Sequence, residues 1–441
     1  MPPLLAILAV LGLLGAATAG ATALRRWGCL DAEGARKLVH ILLGLVVAAF
    51  PWIFHDIWPV LLLAGLALIA LLGLRLQPAL RSGLGAALHD VDRESWGEIC
   101  FPLAAALLWC LATADPLLFS VPILVLASAD AAAALVGVRY GRTELSSGTG
   151  RKSWEGAVAF AITAYMAVHI PLLLWSDLGR VECLLIAATF AVLMTAVEAV
   201  SWRGLDNLFI PLVGWLFLES WLTEPSAALA EQLAIACALC FVLLLLRRRR
   251  TLDDGALAGG MLAVFMAGSI GGWHWLGPPL LVYLAYTVVW PLPAHEQPRH
   301  HSGIMLSVVL PGLLWLMAGH HGLHWQLAFV GYTAAWCGAA ACIGVASLWN
   351  QRPWITTTAS AAAAGPCVAL LAWALSLPHS GPMLLYLLAA AAAIPAAACF
   401  AWLRPQLNDS GGLRWTTQMF IPLCCSSLPL VAVLVSGHSG L

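Results

Sequence analysis

The sequence predicts an all-α, polytopic integral membrane protein with about 16 transmembrane helices. Of its 441 residues, 61% are hydrophobic and only 10% are charged, and the mean hydropathy is +0.89. Apolar runs of about 17 to 23 residues recur along the chain, and at about 1.5 Å per residue each is long enough to cross a bilayer core. This composition excludes an ordinary soluble globular protein and a disordered chain.

The first apolar run covers residues 3–24 and is interpreted as a retained transmembrane span. It differs from a cleaved signal peptide because no positive charge precedes it and Arg25 and Arg26 follow it. Basic residues then recur in alternate loops, which favours a cytoplasmic location for those loops, most simply in a bacterial inner membrane. With 21 basic and 22 acidic residues the net charge is −1, so nucleic-acid binding has no electrostatic support.

A run of four arginines, Arg247 to Arg250, marks the expected domain boundary. It predicts a first membrane domain over residues 1–246, a basic cytoplasmic linker over 247–254 and a second membrane domain over 255–441. Twenty of the acidic residues lie at or before Asp254, and only Glu296 and Asp409 follow it. Chemistry that depends on carboxylates is therefore expected in the first domain.

Polar clusters in the first domain fall at the predicted cytoplasmic ends of spans, where ionisable groups are costly and suggest function. In the first cluster, His40 lies three and four positions after Lys37 and Arg36, so the three side chains share one face of a helix. A basic anchor at the membrane interface is the alternative explanation. A second cluster, Arg93 to Glu98, also fits an amphipathic interfacial segment.

The third cluster is centred on Asp130, which lies deep inside a predicted span. A carboxylate there costs about 2.5 to 3.5 kcal/mol, so we expect it to have a cationic partner or a metal ion. The small residues Gly137 and Gly141 follow it, and a glycine-rich basic loop then leads through Lys152 and Ser153 into the next helix. Such a loop at a helix start favours phosphate binding, although a purely structural loop is the alternative.

The fourth cluster places Glu198 inside the next span and Asp206 and Asn207 at the following helix entrance. A helix cap is the alternative explanation for the Asp206–Asn207 pair. Carboxylates such as Asp130 and Asp206 suit Mg²⁺, with Glu198 as a third candidate ligand. Together with the basic loops they predict phosphoryl or nucleotidyl transfer at a membrane surface.

These clusters, in this order over about residues 25 to 220, resemble the CTP-dependent polyprenol kinases. That family comprises dolichol kinase, phytol kinase and the yeast-type diacylglycerol kinase, and is itself similar to CDP-diacylglycerol synthases. The matching stretches are Glu33 through His40 with Gly44, Arg93-x-Ser95-x-Gly97-Glu98 with Pro102, Asp130-x-x-Ala133 with Gly137 and Gly141, Lys152-Ser153-Trp154-Glu155-Gly156, and Glu198 with Gly204-x-Asp206-Asn207 and Pro211.

The resemblance implies CTP as phosphoryl donor, Mg²⁺ as cofactor and a membrane lipid alcohol as acceptor. By the same resemblance, Asp130 and Asp206 hold metal and phosphates, and Lys152 and Ser153 contact the triphosphate. Arg36, Lys37 and His40 contact the donor or the acceptor hydroxyl, and His40 or a carboxylate accepts the hydroxyl proton. The further nucleotide- or phosphate-binding positions implied are Gly137, Gly141, Glu155, Gly156 and Asn207.

Two other functions compete with the kinase. The Lys152–Gly156 stretch is also close to the motif of phosphatidate cytidylyltransferases, but the Pro-Gly-His-Gly-Gly segment of that family is missing after Glu198. A lipid-phosphate transporter is the third hypothesis, although the paired broken helices expected of two similar halves are absent from the sequence.

The second domain resembles the membrane family that includes phytyl-phosphate kinase. Where that family carries acidic residues, this chain has Cys337-Gly338 and Cys342, and its later Asn-Asp pair is replaced near Trp415 to Gln418. Without carboxylates a metal-phosphate site lacks its ligands. We therefore expect a non-catalytic second domain that packs, binds lipid or acts as a scaffold.

Overall fold

The computed structural model describes residues 2–76, 96–112, 115–147, 150–246, 252–286, 301–349, 353–376, 382–407 and 412–435. Three sequence features lie outside the described residues: Arg93 of the second polar cluster, positions 148–149 of the glycine-rich loop, and the arginine run 247–250. The chain divides into two compact units, Met1–Val242 and Leu243–Leu441, each of which is described by itself.

Unit 1 is a helical bundle with one short hairpin of two antiparallel strands. Its elements are α1 (Pro3–Arg26), α2 (Ala32–Ala48), α3 (Phe50–Ile53), α4 (Ile57–Leu76), α5 (Gly97–Leu111), α6 (Pro116–Tyr140), β1 (Glu144–Ser147), β2 (Gly150–Ser153), α7 (Trp154–Trp175), α8 (Arg180–Val200), α9 (Asp206–Trp221) and α10 (Ser226–Leu246).

Unit 2 contains helices only within its described residues. They are α11 (Asp254–Met266), α12 (Gly277–Leu284), α13 (Ser302–His320), α14 (Trp325–Leu348), α15 (Trp354–Ala362), α16 (Ala364–Leu375), α17 (Met383–Ala391), α18 (Ala393–Leu403), α19 (Gly412–Ser426) and α20 (Leu428–Val435), with a π-helical turn at Ala267–Gly271 and short 3₁₀ turns at Trp273–Leu276 and Arg404–Gln406.

The helical, membrane-spanning character predicted from the sequence is confirmed. Ten helical segments of at least 18 residues are apolar enough to cross a membrane within the described ranges, against the expected count of about 16. Part of the difference is physical. The apolar stretches Ile57–Gly73 of α4 and Gly97–Leu111 of α5 are shorter than 18 residues, and α15 with α16 counts as one span.

Helix α6 is the centre of unit 1, where it packs against α2, α7 and α9. Its middle is almost completely buried, including Val125, Leu126 and Ala127. Helix α2 approaches it so closely that a Cβ atom at Gly44 would overlap the Cβ of Ala127. This close approach brings Lys37 and His40 of α2 beside Asp130 of α6.

Helix α14 is the centre of unit 2, and 94% of its most apolar stretch is buried. Tyr332 donates a hydrogen bond to the carbonyl of Trp275 at 2.9 Å. Cys337 and Cys342, which stand where the resembling family has acidic residues, are fully buried. A Cβ at Gly338 would come within 3.1 Å of the Cα of Pro422, so this stretch of α14 is packed against α19.

The α2–α6 contact predicts that Gly44→Ala destabilises the protein while Gly65→Ala does not. Gly65 lies in the middle of α4, and no atom lies within 4 Å of the position that a Cβ would take, so alanine there is accommodated and favours the helix. At Gly44 the helices must separate, which costs about 1–3 kcal/mol. Thermal unfolding in detergent should show a lower midpoint for Gly44→Ala only, and equal midpoints would contradict the packing.

Candidate active site

A cavity of about 1300 Å³ lies within unit 1 and joins all four polar clusters. Residues from α2, α5, α6, the hairpin, α7, α8 and α9 line it. The sequence-predicted residues on its wall are Arg36, Lys37, His40, Asp130, Gly137, Gly141, Lys152, Ser153, Gly156, Glu198, Asp206 and Asn207. Residues more than 160 positions apart in the chain therefore share one compartment.

The cationic partner expected for Asp130 is Lys37. The Lys37 ammonium donates a hydrogen bond to Asp130 Oδ2 at 2.6 Å, and Lys37 is only 4% exposed. The pair joins α2 to α6 in the bundle interior, where the two charges compensate one another. Next to it, Arg36 is half-exposed and is held by Glu33 at 2.6 Å.

His40 lies one turn after Lys37 on the same face of α2. Its Nε2 atom is 3.5 Å from Asp130 Oδ2 and 3.4 Å from the carbonyl oxygen of Leu126. Both neighbours are hydrogen-bond acceptors, so the neutral ring carries its proton on Nε2. The other ring nitrogen, Nδ1, then has a free lone pair and can accept a proton.

Lys152 extends from strand β2 and pairs with Glu198 of α8. Its Nζ is 2.8 Å from Glu198 Oε1, and it also donates to the Glu198 backbone carbonyl. The hairpin fixes this position by pairing Leu145 with Lys152 and Glu144 with Ser153. Glu198 therefore neutralises Lys152, which leaves it less available as the metal ligand that the sequence suggested.

Ser153 begins helix α7 as its N-cap, and its hydroxyl accepts a hydrogen bond from the Gly156 N–H at 3.1 Å. A Cβ at Gly156 would lie 2.8 Å from the carbonyl of Ala133, and a Cβ at Gly141 would lie 2.9 Å from the Ser153 hydroxyl. These glycines let α6 and the start of α7 touch. Ser153, Gly156 and Ala157 line the cavity, so the start of α7 opens onto it.

Glu155 is the one predicted site residue whose side chain is not on the cavity wall. Its carboxylate accepts the Thr143 N–H at 3.2 Å, next to the hydrogen bond from Trp154 N to the Thr143 carbonyl. These contacts close the base of the hairpin. In this structure its carboxylate holds the hairpin that carries Lys152, and its role in phosphate binding stays a prediction.

Asp206 and Asn207 follow a sharp turn in which Arg203 and Gly204 have φ angles of 52° and 86°. Asn207 donates to the carbonyl of Gly97 at 2.9 Å, and so ties α9 to α5. The alternative explanation as a helix cap is wrong, because Leu205 is the N-cap residue of α9 and no side-chain cap bond occurs. Asp206 instead lines the cavity.

The Asp206 carboxylate has no hydrogen bond or ion pair to any part of the chain that the structure describes. It is the first residue of α9, outside the ten spans. Burial, and then the negative charge of Asp130, raise the pKa of Asp206. Within the described residues, no lysine or arginine lies close enough to this carboxylate to form an ion pair with it.

No group of three or more His, Cys, Asp or Glu side chains arranged to hold a metal ion occurs within the described ranges. A closed metal site made by protein alone is therefore not formed there. The donor set instead fits Mg²⁺, which commonly takes one or two carboxylates and completes its shell with water and substrate phosphates. The free carboxylate of Asp206 is the ligand that this arrangement offers.

The apolar part of the cavity was not predicted from the sequence. Its wall includes Phe50 at the start of α3, Val60 and Leu71 of α4, and Phe101 of α5. The spacing of apolar residues along α4 is compatible with a lining stripe, but a helix that is apolar on every side gives no hint of which face meets a cavity.

The fold and the site together define a helical integral membrane protein with a charged cavity that continues into an apolar compartment. The chain is 35% identical over 217 residues to phytol kinase of Synechocystis sp., and the match covers 47% of this chain and 90% of the relative. The chain therefore belongs to the phytol kinase family of membrane phosphotransferases. No protein family model matches it, and no solved structure matches it.

The buried ion pair predicts a non-additive stability pattern. Lys37→Met should lower the stability by about 3–5 kcal/mol, because it leaves the Asp130 carboxylate without its cation. Lys37→Met combined with Asp130→Leu should recover most of the loss, since neither charge then remains. Thermal unfolding of both variants in detergent measures this, and a double variant less stable than Lys37→Met would contradict it.

Proposed function

We propose that this protein is a CTP-dependent kinase that transfers the γ-phosphate to the hydroxyl of an isoprenoid or related lipid alcohol, with phytol as the first candidate. One observation carries the proposal. A single cavity presents Lys37, Lys152 and Asp206, whose carboxylate has no partner among the described residues, directly beside an apolar compartment in a chain related to phytol kinase. Phosphate-binding groups and a lipid-binding surface thus face the same space.

The phosphates of the donor fit between the start of α7 and the basic side chains. Ser153 caps α7, whose N-terminus carries the positive end of the helix dipole, and Lys152 lies beside it. Arg36 is half-exposed on the cavity wall and can reach an incoming phosphate. Asp206 would hold Mg²⁺, with Asp130 nearby, and the ion would neutralise charge on the phosphates.

His40 is the base that the geometry favours for the acceptor hydroxyl. With its proton on Nε2, facing Asp130 and Leu126, the ring offers the Nδ1 lone pair to the hydroxyl proton. The proton then resides on an imidazolium stabilised by the Asp130 carboxylate. Lys37 keeps Asp130 ionised and in place, so it acts through Asp130 as a positioning residue.

The reaction is placed at the cytoplasmic face of a bacterial inner membrane because basic residues recur in alternate loops. Unit 2 is proposed to be non-catalytic. Cys337 and Cys342 of its central helix are buried where the resembling family carries acidic residues, so they present no phosphate or metal ligand.

A cytidylyltransferase is the second candidate, since the same carboxylates and lysines would stabilise the attack of the phosphatidate phosphate on the α-phosphate of CTP, with pyrophosphate as the leaving group. The similarity to phytol kinase favours the γ-phosphate. A lipid-phosphate transporter would bind similar groups without breaking a phosphate bond.

We expect purified protein with Mg²⁺ and γ-labelled CTP to transfer label to phytol. Parallel reactions with α-labelled CTP and phosphatidate test the cytidylyltransferase, and γ-labelled ATP tests donor choice. Label from the α position on phosphatidate, with none from the γ position on phytol, would overturn the kinase. Movement of phytyl phosphate across vesicles without nucleotide, with no transfer of label, would favour transport instead.

The role of Asp206 predicts a specific magnesium dependence. Asp206→Asn should raise the Mg²⁺ concentration for half-maximal activity at least tenfold, because an amide oxygen is a weaker ligand than a carboxylate. Asp56→Asn is the matched control, since Asp56 is exposed and lies outside the cavity wall. Equal Mg²⁺ curves for both variants would show that Asp206 does not hold the ion.

A further inference from the structure

We infer that the apolar part of the cavity is an arm that holds the hydrocarbon chain of the acceptor and limits its length, with Phe50 as its floor. This inference rests on the proposed function and adds a specificity-determining residue to it. Along α2 the cavity wall changes from charged, at Lys37 and His40, to apolar, at Leu43 and Val47. It ends at Phe50, the first residue of α3.

The arm lies between two sets of packed helices. Helix α2 packs against α1 and α6, whereas α4 packs against α5. Within the described residues, α2 and α4 make no extensive contact with each other. The space between them is continuous with the charged compartment of Asp130 and Lys152. A hydrocarbon chain bound in this space therefore has its hydroxyl at the reacting groups.

Residues of α4 form the facing wall at helical spacing, with Val60, Leu63, Ala64, Ala67 and Leu71 on one side. This helix runs back from the α3 turn towards the charged compartment, so Val60 is near the floor and Leu71 near the charged end. The eleven-residue step between them corresponds to about 16 Å at 1.5 Å per residue.

That length holds a little over three isoprene units, so a four-unit chain fits when its hydroxyl-bearing unit lies beyond Leu71 in the charged compartment. Extended carbon chains advance about 1.25 Å per bond, so about 16 Å accommodates roughly 13 main-chain carbons at four per unit. A longer hydrocarbon chain gains no binding free energy from the hydrophobic effect, because the bilayer from which the acceptor comes is as apolar as the arm. Selection therefore acts by exclusion: a chain longer than the arm must bend or leave it.

The floor is closed by an aromatic cluster. Phe50 is 4% exposed, its ring stacks on Phe119 at 6.4 Å and meets the edge of Phe54 at 5.2 Å. Trp109 contacts Phe119 edge-on at 5.0 Å. Four aromatic rings from α3, α5, α6 and the turn after α3 thus pack against one another. This packing keeps the end of the arm closed to a longer hydrocarbon chain.

The test uses isoprenoid alcohols of two, three, four, five and eleven units at equal mole fraction in mixed micelles, with γ-labelled CTP and Mg²⁺. Wild type should phosphorylate acceptors of up to four units with similar kcat/KM and the eleven-unit acceptor at least tenfold less well. Phe50→Ala should raise kcat/KM for the five-unit acceptor, relative to the three-unit one, at least fivefold. Comparison of each variant with wild type on the same acceptor cancels micellar partitioning.

A second variant keeps the test valid if loss of Phe50 impairs folding. Ala67→Phe places a ring about 10 Å above Val60, and should reduce the four-unit to two-unit kcat/KM ratio at least tenfold. Ala70→Phe is the matched control, because Ala70 is exposed and outside the cavity wall, and it should keep the wild-type profile.

The outcomes separate the arm from the kinase activity. If wild type phosphorylates alcohols but Phe50→Ala and Ala67→Phe both keep its chain-length profile, the arm is wrong while the kinase stands. If wild type phosphorylates no alcohol of any length, the proposed function fails and the arm fails with it. If Ala70→Phe changes the profile as Ala67→Phe does, the effect comes from helix packing and the arm is again wrong.

Discussion

The arrangement of unit 1 depends on burying an ion pair inside an apolar helical bundle. The Lys37 ammonium and the Asp130 carboxylate lie 2.6 Å apart between α2 and α6. Both side chains are largely buried, so each charge is stabilised by the other. The pair can form only because α2 approaches α6 closely, which Gly44 allows. The position of the ion pair determines the position of His40, one turn later on α2. The boundary between the charged compartment and the apolar arm therefore lies just after His40.

The same requirement for compensation shapes the rest of the cavity. Lys152 reaches Glu198 across the start of α7, so the second lysine of the chain is also neutralised by a carboxylate of a neighbouring helix. Asp206 is the exception, since no cation from the described parts of the chain pairs with it. A site that compensates two carboxylates and leaves the third open is suited to a cation that arrives with the substrate.

Much of this site could be predicted from the sequence because ionisable residues are rare in spans. Asp130 and Glu198 stand out against apolar surroundings, and both turn out to have lysine partners. The pairing itself could not be predicted, because Lys37 and Asp130 are 93 positions apart and only helix packing brings them together. The hydrogen bond from the Thr143 N–H to the Glu155 carboxylate likewise depends on the β-hairpin, which an all-helical prediction does not include.

Neither the apolar arm nor the number of spans could be predicted from the sequence, for a related reason. In α4 every face is apolar, so the residues that meet the cavity look like those that meet lipid, as Ala67 and Ile69 illustrate. Unit 2 shows the opposite extreme. There, the central helix α14 is buried on nearly all sides, and its Tyr332 hydroxyl is satisfied within the bundle by the Trp275 carbonyl.

The central claim is that the charged cavity of unit 1 binds the nucleotide, and photo-crosslinking tests it most directly. Purified protein would be irradiated with a photoreactive CTP analogue and Mg²⁺, and the labelled peptides identified by mass spectrometry. We expect label on peptides containing Arg36 to His40 or Gly141 to Gly156, and its loss when excess CTP competes. Competable label confined to residues after Asp254 would place the nucleotide site in unit 2 and contradict the account.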